Sequence, residues 1–72
     1  MTINQFIKNL KYKSSILSIY DMYNQAIFSD TLGVFLTSLK RNLIGNEVIE
    51  AVYPYSCSDK DFYITLLHFA IQ

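Results

Sequence analysis

Tryptophan is absent from this 72-residue chain, and cysteine, histidine and proline occur once each, as Cys57, His68 and Pro54, with glycine only at positions 33 and 45. Each scarcity removes a class of protein. A single cysteine closes no disulfide within the chain and fits a reducing compartment. One Cys and one His do not make a Cys/His zinc site. Two isolated glycines supply neither a phosphate-cradling loop nor a nucleophile elbow. No charge-free stretch approaches the roughly 20 apolar residues that span a bilayer. The start, Met1-Thr2-Ile3-Asn4-Gln5, lacks the basic segment and continuous apolar run of a signal peptide. An excess of one sign of charge is missing too, six Lys and Arg balancing six Asp and Glu, which argues against a polyelectrolyte partner. The expected setting is the cytoplasm, with no membrane, metal or cofactor.

What is present is apolar surface. Hydrophobic residues make up 51% of the chain and charged residues 17%, with six tyrosines and five phenylalanines, a composition too apolar for a disordered tail. One domain is the most that this length supports. A core of under about 80 residues rarely nets more than about 3–5 kcal/mol, so a chain without disulfides or metal leans on efficient packing or on association.

The apolar spacing predicts an all-α fold, a single helical domain over residues 1–72 built as a small bundle of four to five short helices. Thr2 and Gln5 form a capping-box pattern, and Ile3, Phe6, Ile7 and Leu10 then make the stripe of a helix over about 3–11. Ser14 or Ser15 would cap a second helix with Ile16, Ile19, Tyr20, Tyr23, Ala26 and Ile27 on its stripe and Leu17 off it. Ser29 or Asp30 would cap a third over about 31–44, with Leu32, Phe35, Leu36, Leu39 and Leu43 buried and Gly45 as its left-handed stop. A short helix over 47–53 would end at Pro54, followed by a loop through Ser56 and Cys57, and Ser58 with Asp61 would open a last helix over about 59–71. The segments Ala51–Tyr55 and Phe62–Leu66 are rich in β-formers, so a hairpin there is the alternative. Helix is preferred because caps and periodicity agree at four places.

Catalytic chemistry is sparse. His68 and Cys57 alone have reference pKa values near neutrality, and Asp59 with Asp61 reads as the acidic first turn of a helix rather than as a catalytic pair. The chain is read as not an enzyme. Two groups of residues are candidates for binding. Lys8, Lys11 and Lys13 at the end of the first helix, with Lys40 and Arg41 at the end of the third, form a basic set able to touch phosphates weakly, although each also complements a helix C-terminus. Tyr12, Tyr20, Tyr53 and Tyr55 are candidate partner-binding residues, because this many aromatics exceed what one small core encloses with every hydroxyl satisfied.

Met1-Thr2, Phe6-Ile7, Leu10-Lys11, Ser14-Ser15, Ile16, Ile19 and Met22-Tyr23, with the ending His68-Phe69 through Gln72, are similar to the Hha/YmoA/Cnu family of small nucleoid-associated regulators. The resemblance implies an all-helical chain that modulates transcription by binding an H-NS-like protein, with little DNA affinity of its own. It departs from the family at Ser38-Leu39-Lys40-Arg41-Asn42, where an Asp-His-Arg signature belongs, and in having no tryptophan.

The functional expectation is a small protein–protein interaction module, a homodimer or part of a heteromer, acting as a regulator. A phage- or plasmid-type inhibitor or immunity protein and a weak nucleic-acid-binding protein are the alternatives.

Overall fold

The computed structural model describes residues 1–55 and 57–71; Ser56, in the predicted loop, and Gln72, at the end of the resemblance, lie outside the described residues. The chain runs α1 (Ile3–Ile7), β1 (Ile16–Tyr20), β2 (Ala26–Thr31), α2 (Leu32–Thr37), α3 (Leu39–Ile44), β3 (Ile49–Pro54) and β4 (Phe62–Leu66). The strands form one mixed sheet of order β2-β1-β4-β3, antiparallel except for the central β1–β4 pair. The predicted all-α bundle is therefore overturned: the domain is a small α/β fold, and the fold that the family resemblance implied is absent.

Burial explains the difference. In β1, Leu17 and Ile19 enter the apolar core while Tyr20 and Ser18, the latter also buried at 3% exposure and hydrogen-bonded to Tyr55, point to the other face, and β4 repeats the alternation with Ile64 and Leu66 against Tyr63 and Thr65. That is a period of two, the signature of a strand with one covered face. Leu17, off the predicted helical stripe, is 0% exposed. Segments of five or six residues contain too few apolar positions to separate the two periods, and β-branched and aromatic side chains then favour the strand. The second predicted helix, with its stripe from Ile16 to Ile27, is the β1–β2 hairpin, that over 47–53 is β3, and that over about 59–71 is β4 with the segment after it. The hairpin weighed as the alternative is the observed β3–β4 pair, with Tyr53 opposite Tyr63.

The predicted first and third helices exist but are shorter. Thr2 caps α1 with the reciprocal box, its hydroxyl accepting from the Gln5 N–H at 3.2 Å while Gln5 Oε1 accepts from the Thr2 N–H at 2.9 Å. The third helix is capped by Thr31, not by Ser29 or Asp30, and breaks at Ser38, whose extended backbone ends α2 and whose hydroxyl accepts from Lys40 N–H to start α3. The break reorients the second half, so Leu39 is 84% exposed and Ile44 enters the core instead. Gly45 is right-handed at φ −57°, which corrects its role as a left-handed stop. It is needed for closeness: a Cβ there would lie 2.7 Å from Asn4 Oδ1, where the Asn4 N–H meets the Gly45 carbonyl at 2.8 Å.

All three helices pack on one side of the sheet. Ile3 and Ile7 from α1, Leu32 and Phe35 from α2 and Ile44 from α3 form a single core with Leu17, Ile19, Ile27, Ile64 and Leu66. Among the described residues no helix lies on the other side of the sheet.

Candidate functional site

Strand alternation places Tyr20 of β1, Tyr53 of β3 and Tyr63 of β4 on the uncovered face. The rings of Tyr20 and Tyr63 stack at 4.3 Å with 17° between planes, and Tyr53 meets Tyr63 edge-on at 6.1 Å. The Tyr63 hydroxyl donates to Asn24 Oδ1 at 2.9 Å, and Asn24 holds φ 64° in the β1–β2 turn, a conformation that asparagine tolerates better than most residues. Just past β3, the Tyr55 hydroxyl shares a 2.7 Å hydrogen bond with Ser18, which lies 3.3 Å from the Ser29 hydroxyl. A hydroxyl network and a stack of rings thus span the four-stranded surface. Among the described strand residues, the charged group on this face is Glu50 at the β3 bulge, which accepts from Thr65 Oγ1 at 3.2 Å. The alternating positions of the four strands bring no Lys or Arg to this face.

Of the candidate partner-binding residues, Tyr20, Tyr53 and Tyr55 come together here, and Tyr12 lies elsewhere, exposed in the connection between α1 and β1. The basic set does not converge. Lys8 is the C-cap of α1, with Lys11 and Lys13 in the exposed segment after it. Lys11 lines a cleft with Tyr12 and Lys60, whereas Lys40 lines a different groove with Leu43 and Phe69. Arg41 turns back to the Leu36 carbonyl at 3.4 Å.

No protein family, curated protein or solved structure matches this chain. Its residues and their geometry are the grounds for any reading of function. Among the described residues no three His, Cys, Asp or Glu side chains gather as metal ligands, and no helix is long and apolar enough to cross a membrane.

Two residues that sequence reasoning missed shape the tyrosine face. Tyr63 was hidden by its assignment to a helix, although the alternation Phe62-Tyr63-Ile64-Thr65-Leu66 signals it. Asp21 closes the neighbouring turn. It is 1% exposed, its Oδ1 accepts from the Tyr23 and Gln25 N–H groups at 2.9 and 2.8 Å, and its Oδ2 accepts from the Ile71 N–H at 2.9 Å. Burial pushes its carboxyl pKa up, and the N–H groups of Ile71, Gln25 and Tyr23 together outweigh that and hold it below the ordinary value. The Met22 N–H donates to the Phe69 carbonyl at 2.8 Å, so segment 67–71 is strapped to the turn from which Asn24 reaches Tyr63.

Proposed function

We propose that this chain is a small non-enzymatic protein-binding module that docks a partner on the open face of its sheet and regulates or inhibits it by occupancy. The observation that carries the reading is the convergence of Tyr20, Tyr53, Tyr55 and Tyr63 on the sheet face opposite the helices, to which the described strands bring no cation. Tyrosine offers large contact area, little rotamer entropy to lose and a hydroxyl for the partner, and interface cores are depleted of charge. The lack of lysine and arginine argues against nucleic acid on this face, since a single-strand platform pairs its aromatic rings with a basic groove. We take the module to act in the cytoplasm, the reading that a single cysteine supports.

The test is affinity capture with the wild-type chain and with Tyr53→Ala, a substitution at a 55% exposed position that leaves the core intact. An H-NS-type protein is the first purified bait to try, and sedimentation over a concentration series examines a second copy as the occupant. A partner held by the wild type and weakened about tenfold or more by Tyr53→Ala supports the proposal. Equal retention by both proteins, or no specific partner for either, overturns it.

A further inference from the structure

The tyrosine face leaves Tyr12, Lys11 and Lys60 unused, and these three line one cleft. Its walls come from the segment after α1, from Ser15 and from the loop that enters β4, enclosing about 320 Å³. That volume is at the lower end of the range for small-molecule sites. Tyr12 and Phe62 give two aromatic walls, and the Phe62 ring is braced edge-on against Phe6 at 5.3 Å. Lys60 Nζ donates to Ser14 Oγ at 3.3 Å, which fixes the ammonium beside the lysine-bearing segment and leaves two of its three donors for a ligand. Ser15 also lines the cleft at 1% exposure. Asp61, next in sequence to Lys60, turns its Oδ1 to the Ile16 N–H at 2.7 Å and is not among the side chains that line the cleft. Lys11 and Lys60 against Asp59 leave the lining with a net positive charge.

We infer that this cleft binds a small aromatic phosphate, of the nucleoside monophosphate class, with the ring between Tyr12 and Phe62 and the phosphate at Lys11 and Lys60. The chemistry divides in that way for physical reasons. The phosphate requires cations, since ammonium-to-phosphate hydrogen bonds are charge-assisted. The base gains from stacking on an aromatic side chain. The single carboxylate, Asp59, repels phosphate but accepts well from sugar hydroxyls, which orients the ligand along the cleft. The site shares no residue with the tyrosine face, so either can fail alone.

The experiment is an NMR titration of the full chain with adenosine monophosphate, uridine monophosphate, adenosine, ribose 5-phosphate and a short 5′-phosphorylated oligonucleotide. The expected result is saturable shifts confined to amides of residues 9–15 and 58–63, with the monophosphates binding more tightly than adenosine or ribose 5-phosphate. Lys60→Gln and Tyr12→Leu each weaken binding about tenfold while leaving the remaining spectrum unchanged. Oligonucleotide binding at the same amides, tighter than the monophosphates, assigns the phosphate to a nucleic-acid end; weaker binding assigns it to a free nucleotide. Shifts spread equally over Lys8, Lys40 and Arg41, ribose 5-phosphate binding as tightly as adenosine monophosphate, or no saturable shift overturns the inference.

Discussion

The carboxylate of Asp21 surrenders almost all of its hydration and is repaid by three backbone N–H groups, one of them 50 residues away at Ile71. Because its pKa in the folded chain lies below the ordinary aspartate value of 3.8, folding favours the charged form. The stability it contributes is present above pH 3.8 and is lost as the pH falls through the folded-state value. Asp21→Asn removes one acceptor. We expect it to lower the melting temperature at neutral pH, to speed hydrogen exchange at the Ile71 amide, and to close its stability gap to the wild type in strong acid. A constant gap down to about pH 2 contradicts this assignment. Two of the partners of Asp21, the Tyr23 and Gln25 N–H groups, are local, but the third, the Ile71 N–H, is brought near only by the folded chain, and that contact is what the sequence does not single out. Thr2 is the opposite case, because its cap and partner lie three residues apart and the pattern is local.

Elements were legible where a local signal is strong and ambiguous where it is short. The caps at Thr2 and the apolar pair Leu32 and Phe35 mark true helices. Leu39 and Leu43 continue that stripe on paper, but the chain breaks at Ser38 and exposes both. In β1 and β4 a five-residue segment satisfies helical spacing and strand alternation alike, and the choice falls to the neighbouring strands that supply hydrogen bonds. Substitution separates the two registers. Leu17→Ala, at a site buried in the strand register and off the stripe of the predicted helix, is expected to cost about 2–5 kcal/mol by chemical denaturation. Leu39→Ala, on the predicted stripe but exposed, is expected to change stability by no more than about 0.5 kcal/mol. A reversed order would restore the helical register.

As a whole molecule, the domain rests on a parallel central pair whose strands are distant in sequence, Leu17 facing Phe62 and Ile19 facing Ile64. Loop-closure entropy must be spent before those contacts form, so refolding is expected in milliseconds or slower, in contrast to the microseconds open to a local helical bundle. Stopped-flow refolding decides the matter, and completion within the instrument's dead time would contradict the topology. The same pairing creates the candidate site. Tyr20, Tyr53 and Tyr63 lie on three strands, and no spacing rule brings them into one cluster of rings. Composition and charge were enough to indicate a single small domain with an aromatic surplus and no cysteine or histidine pair, because those are sums over the chain. Which face each aromatic occupies depends on the strand register and on the helices covering one side alone. Those are long-range pairings, with a free energy that belongs to contacts between distant segments and leaves no trace in local periodicity.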